Sequence, residues 1–238
     1  MDNNAGSEQL QAEFDLIADE YYEQHRTNVA ITGEDPEYFA KYKVVDLRSY
    51  IDRNGIKANN IFDFGCGIGN SVGYFRECFP ESELCFGDVS KRSLEIARSR
   101  FPDSEEYFQI GGKIPLPTES QDVVFTACVF HHIPHEQHYT WLTELKRITR
   151  PGGVLVIYEH NPLNPLTVRA VNTCAFDVNA RLIRGGAMKA SVHNAGWMNA
   201  SVRYKLFFPS FLRSFRVVEP YLSRVFLGAQ WRLIARKP

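Results

Sequence analysis

Three glycines stand at alternate positions in the stretch IFDFGCGIGN: Gly65, Gly67 and Gly69. Glycine weakens a strand and costs backbone entropy, so glycines placed straight after an apolar run mark a close approach to the main chain. Two acids flank this turn. Asp63 precedes it, and Asp88 ends the stretch ELCFGD, about 20 residues further on, where an acid can accept both hydroxyls of a ribose. No Lys or Arg waits in the turn for a phosphate. The pattern is G-x-G-x-G, with Asn70 next, whereas dinucleotide turns favour G-x-G-x-x-G. These residues point to a ribose-bearing ligand lying against bare backbone.

A second set could move protons or orient an acceptor. His131 and His132 occur in ACVFHHIP, and Glu159 and His160 in VLVIYEH. Imidazole titrates near neutral pH, so either histidine could act as a base with little tuning. The plainer expectation for HHIP is a structural turn, with one ring packed and the other solvated. His135 and His138 follow closely, which raises a metal reading. Pro134 interrupts that run and no H-E-x-x-H frame exists, so no metal ligands are expected.

The elements that must carry these residues alternate. Helical spacing is read over 10–24 and again over PEYFAKYKVVDLRSYIDRNG, with Pro36 in the first turn and Gly55 past the end. A strand (61–64), the glycine turn, a helix near 70–79 and a strand (83–88) follow. Then come a helix from an N-cap at Ser90 to Arg100 and a strand (106–110). A strand (122–128), a helix holding Trp141, Leu142, Leu145 and Ile148, the turn RPGG and a strand (154–160) complete the run. Such β-α-β alternation predicts a parallel sheet covered by helices on both faces. SVRYKLFF (201–208) and AQWRLIARK (229–237) alternate instead, as an antiparallel edge pair does.

The chain has 238 residues and a formal net charge of −1. That suits one α/β domain and offers no global positive field for nucleic acid or an anionic membrane. Five scattered cysteines without a C-x-x-C, and no apolar leader or spanning run, predict a cytoplasmic protein. LFFPSFLRSFRVVEPYLSRVFLGAQ (206–230) is rich in Phe, with Phe208, Phe211, Leu212 and Phe215 on one helical face. Packing of that face into the core is expected; an apolar rim for a lipid-like acceptor or a membrane surface is the sharper alternative.

DFGCGIGN, CFGDVS, IPLPTESQDVVFTACVFHHIP and LKRITRPGGVLVIYEHNP together resemble the motifs of class I S-adenosylmethionine-dependent methyltransferases. The resemblance covers most of the chain. It implies a Rossmann-like, mostly parallel sheet of seven strands, ordered 3-2-1-4-5-7-6 with one antiparallel strand. It divides one domain into an N-terminal helical lid (1–55), a cofactor-binding core (56–160) and an acceptor-side insertion with a C-terminal hairpin (161–238). S-adenosyl-L-methionine is the implied cofactor. Asp63, Gly65, Cys66, Gly67 and Gly69 would line its methionine end. Asp88 would hold the ribose, with Val89 and Ser90 beside the adenine, and Ala127 and Cys128 would border the sulfonium. Tyr21 or Tyr22, in FDLIADEYY, would close over it. Many relatives carry an acid after the third strand; here QIGGK stands there, and the backbone of Ile110, Gly111 and Gly112 would serve instead. His132, Glu159 and His160 would face the acceptor, with Asn161, Asn164, Arg169, Asn172, Asp177 and Arg181 as further pocket candidates. The acceptor is expected to be a small molecule: EHNPLNPLT, CAFD, LFFP and LGAQ are similar to a bacterial subgroup of which some members accompany glycan or natural-product pathways, so a glycan-linked acceptor is one reading, and the Phe-rich stretch makes a lipid-linked one another. A nicotinamide-dependent oxidoreductase and a non-catalytic cofactor-binding module are the alternatives.

Overall fold

Strands that are apolar on both faces need cover on both sides. In β1 (Asn60–Phe64), Ile61 joins one buried cluster and Phe62 and Phe64 the other. The alternation repeats in β5 (Thr149–His160): Val154, Val156 and Tyr158 pack one way, Leu155 and Ile157 the other. The computed structural model describes residues 14–20, 26, 27, 29, 32–102, 105–174 and 177–238. It forms one seven-stranded sheet in the order β3-β2-β1-β4-β5-β7-β6, as the resemblance implied. The remaining strands are β2 (Glu83–Asp88), β3 (Glu106–Gln109), β4 (Gln121–Ala127), β6 (Met198–Lys205) and β7 (Gln230–Arg236). β1 to β5 pair in parallel, and β7 runs antiparallel to both β5 and β6.

The helices are α1 (Pro36–Asn54), α2 (Val72–Cys78), α3 (Lys91–Arg100), α4 (His138–Ile148), α5 (Pro165–Asn172), α6 (Gly185–Asn194) and α7 (Glu219–Leu222). Residues 14–17 add a helical turn. α1 starts where the Asp35 carboxylate accepts from Tyr38 N at 3.0 Å and stops where Gly55 turns left-handed at φ +58°. α3 starts at Ser90, whose hydroxyl accepts from Ser93 N at 3.0 Å. Gly55 and Ser90 were readable from sequence; the Asp35 cap was not.

One partly buried carboxylate ties α1 to the sheet. Asp46 accepts from Tyr158 Oη at 2.6 Å and pairs with Lys205 Nζ at 2.9 Å and Arg232 Nη1 at 2.7 Å. Burial opposes its charge, but the two cations hold it below the usual carboxylate range.

Three expectations need correction. The strand read as 201–208 ends at Lys205, and the RPGG turn is absorbed into β5. The Phe-rich face does not enter the core. Ser210–Val218 forms a 3-10 stretch with no buried residue, and Phe211 and Phe215 are 77% and 54% exposed. Pro209 and Pro220 bracket it, which breaks the long helix such a face would need.

Candidate functional site

The carboxyl ends of β1, β2, β4 and β5 open on a cavity of about 520 Å³, within the usual span of small-ligand sites. Its wall includes Asp63, Gly65, Cys66, Gly67, Asp88, Val89, Ile110, Ala127, Cys128, His132 and His160. Sequence reading had singled out each of these.

The glycines have different jobs. Gly65 and Gly69 sit at φ +82° and +80°. A Cβ on Gly65 would lie 2.3 Å from Val129 Cγ2, and one on Gly69 3.1 Å from Ala97 Cβ. These two answer internal crowding. Gly67, at φ +53°, would point a Cβ into open space with nothing within 4 Å. Crowding within the protein therefore does not account for this glycine. The turn is tied down by Gly65 N and Cys66 N, which donate to Gly87 O at 2.8 and 3.1 Å.

Asp88 holds the turn as well. Its Oδ2 accepts from Gly67 N at 2.8 Å and its Oδ1 from Ser90 N at 2.9 Å. Burial pushes its carboxyl up despite these bonds. Asp63 is pushed up to about 8 by burial and by the charge of Asp88, with Lys43 pulling the other way. Ser90 is fully buried, capping α3 and donating to Asp15 at 2.6 Å. Gly111 and Gly112 are exposed and off the cavity wall. Tyr21 and Tyr22 lie outside the described residues.

Lys43 is the residue that sequence reading missed. It sits on α1 between Ala40 and Leu47, in the buried stripe. Its Nζ lies 3.6 Å from Cys128 Sγ. Burial raises the Cys128 thiol, but Lys43 and His160 outweigh it and bring it down to about 7. A lysine on the apolar face of a helix was the available signal.

At the acceptor end, Glu159 lies behind the wall. Its Oε1 accepts from Val129 N at 3.0 Å and Phe130 N at 2.7 Å, and its Oε2 meets His131 Nδ1 at 2.5 Å. It positions the loop after β4 rather than facing the cavity. Neither ring of HHIP is solvated: the side chains of His131 and His132 are 1% and 10% exposed. Both present Nε2 to Asp177 Oδ1 at 3.4 Å. Burial disfavours charge on His131, but Glu159 and Asp177 overcome it and raise it to about 10. Burial and the neighbouring His131 charge lower His132 to about 3. Burial also opposes Asp177, which the histidines nevertheless hold at about 2. His138 is structural, its Nε2 bonding Phe130 O and Ile133 O at 3.0 Å each.

Of the other pocket candidates, Asp177 and Asn164 reach the cavity. Asn164 also caps α5, accepting from Leu166 N at 3.0 Å and Thr167 N at 3.1 Å. Asn161 is spent on Phe226 O and Gly228 O at 2.7 and 2.8 Å. Arg169, Asn172 and Arg181 are exposed and off the wall.

This strand order, with its glycine turn and second-strand acid, defines a Rossmann-like domain of the class I methyltransferase type. Residues 62–157 match the family model described as a methyltransferase domain. Over that segment the chain is similar to S-adenosylmethionine-dependent methyltransferases, and its fold is theirs. It is 33% identical over 129 residues to trans-aconitate 2-methyltransferase of Azoarcus sp. strain BH72, covering 53% of this chain and 50% of that one. It is 30% identical over 99 residues to malonyl-[acyl-carrier protein] O-methyltransferase of Hahella chejuensis, covering 41% and 35%. The chain thus spans half or less of the length of these two relatives. A solved methyltransferase of Thermotoga maritima shares the fold, with a TM-score of 0.66 at 17% identity over 96% of this chain and 99% of that one. No helix among the described residues is long and apolar enough to cross a membrane.

Proposed function

We propose that this protein transfers the methyl group of S-adenosylmethionine to a small-molecule acceptor. The observation that carries the reading is the wall formed by Asp63, Gly67 and Asp88. Gly67 leaves an open cradle, Asp88 presents a buried carboxylate at the end of β2, and Asp63 is a buried acid lacking a full counter-charge. That donor set fits an amino-acid tail with its ammonium at Asp63 and a ribose diol at Asp88. When bound, the cofactor supplies a sulfonium-activated methyl group and a thioether leaving group.

The chain's own task is to position the acceptor and exclude water, because displacement at an activated methyl needs little else. Ala127 and Cys128 border the middle of the cavity. His131, His132, His160 and Asp177 form a polar part of its wall, with Glu159 holding His131 in place from behind. Leu166, Phe207, Phe208 and Phe211 add an apolar part to the wall, which suits an acceptor with a polar head on an apolar body, a lipid-linked one included. The name of the trans-aconitate relative supports a small-molecule acceptor. A cytoplasmic location fits five free cysteines.

Isothermal titration with S-adenosylhomocysteine tests the reading. The wild type should bind, and Asp88→Ala should bind about 10–150-fold more weakly, the loss of a charged hydrogen-bond acceptor worth about 1.5–3 kcal/mol. Equal affinity in a folded Asp88→Ala variant, or tight NADH binding with no S-adenosylhomocysteine binding, sinks it.

A further inference from the structure

We propose that His131, His132 and Asp177 form a binding site for one divalent transition-metal ion at the acceptor end of the cavity. The three donor atoms, two imidazole Nε2 and one carboxylate Oδ1, lie within 4.8 Å of one another. Both Nε2 atoms stand 3.4 Å from the same Oδ1. That is long for an N–H···O hydrogen bond, which peaks at about 2.9–3.0 Å. It matches the spacing of neighbouring ligands around a tetrahedral ion: bonds of about 2.0–2.1 Å place donors ~3.3–3.4 Å apart.

The support behind the donors is that of a metal site. A ligating histidine usually gives its second nitrogen to a carboxylate, which fixes the ring and its tautomer. His131 does so through Nδ1 to Glu159 Oε2 at 2.5 Å. Glu159 is itself immobilised by the Val129 and Phe130 amides. The Asp177 loop is fastened to the histidine turn by Arg181 N, which donates to His131 O at 2.7 Å, and internally by Asp177 N to Cys174 O at 3.2 Å. A plain ion pair accounts for His131 between Glu159 and Asp177. It leaves no reason for a second imidazole nitrogen at the same distance from the same oxygen.

Two nitrogens and one oxygen select a borderline metal such as zinc, iron, cobalt or nickel over magnesium, calcium or manganese, which favour oxygen ligands. All three side chains line the cavity, so the coordination position left open faces the space where an acceptor would lie. There the ion would hold an acceptor oxygen. That role rests on the methyl-transfer reading; the ion site itself does not.

The test uses the full chain, stripped with a chelator and dialysed. Titration with Co²⁺ should reach one ion per chain and give the strong visible absorption of a tetrahedral site. Zn²⁺ should displace it and bleach the colour. His132→Ala and Asp177→Asn should each weaken Co²⁺ binding at least about 100-fold, and Glu159→Gln about 10–100-fold. S-adenosylhomocysteine titration of the same variants reports that they are folded. Co²⁺ that fails to bind the wild type stoichiometrically, or binds equally to folded His132→Ala and Asp177→Asn, overturns the site. Stoichiometric Co²⁺ binding without S-adenosylhomocysteine binding supports the site and defeats the methyl-transfer reading; the reverse pattern does the opposite.

Discussion

Asp63 should make the ligand-free protein less stable than its shape allows. It is 3% exposed, and burial with the adjacent Asp88 charge raises its carboxyl from 3.8 to about 8. The folded state therefore binds a proton that the unfolded chain has released. Its protonated form is fully accommodated below about pH 4, and stability is lost as pH rises through the window up to about 8. Each pH unit in that window is worth about 1.4 kcal/mol. Asp63→Asn keeps the shape and cannot ionise. The variant should gain on the wild type by about 4 kcal/mol at neutral pH and about 6 above pH 8, with no difference from titration near pH 4. Lys43 keeps Cys128 as a neighbour in the variant, so no cation is stranded. Urea unfolding of ligand-stripped protein, followed by tryptophan fluorescence from about pH 5 to 9, measures the difference. The same substitution should weaken S-adenosylhomocysteine by about 1.5–3 kcal/mol, because the ligand's ammonium loses a charged partner. A stability difference that stays flat across the pH range refutes the reasoning.

Further expectations follow from single contacts. Gly65→Ala should destabilise the fold, since its Cβ meets Val129 at 2.3 Å; Gly67→Ala meets nothing and should stay folded while losing ligand affinity, as thermal melting and titration would show. Asp46→Ala should cost about 3–5 kcal/mol in denaturant unfolding, because it strands Arg232 and Lys205. Iodoacetamide should label Cys128, at about 7, ahead of Cys85, which burial and Glu106 push up to about 12; mass spectrometry should also find Cys128 protected by S-adenosylhomocysteine.

What could be read from the sequence depended on how local the cause was. Alternation of apolar runs with helices predicted a parallel sheet covered on both faces, whereas the strand order came from the family resemblance; Ser90 and Gly55 marked helix ends through bonds only a few residues long. The cofactor-side wall was legible because Asp63, Gly67 and Asp88 keep fixed offsets along one β-α-β unit. The acceptor end was not. Asp177 meets His131 across a loop whose path no spacing rule sets, so a metal reading looked for partners among His135 and His138; His135 instead begins a short 3-10 turn, and His138 bonds Phe130 O and Ile133 O. Glu159 was expected to face the acceptor, yet the pleat turns it behind the wall, toward His131. Phe211 and Phe215 had helical spacing but flanking prolines, and hydrophobicity alone could not say which face would stay outside.

β7 lies between β5 and β6, and its first residue, Gln230, pairs with His160 and reaches Cys128 Sγ at 3.8 Å. A nascent chain that has emerged only through β6 therefore has its glycine turn but lacks one side of the chamber, and Asp46 still lacks Arg232. The ligand-holding half can form during synthesis, whereas the chamber closes only after β7 slides between two strands made before it. Premature termination just upstream of that strand would leave a cofactor trap without an acceptor chamber.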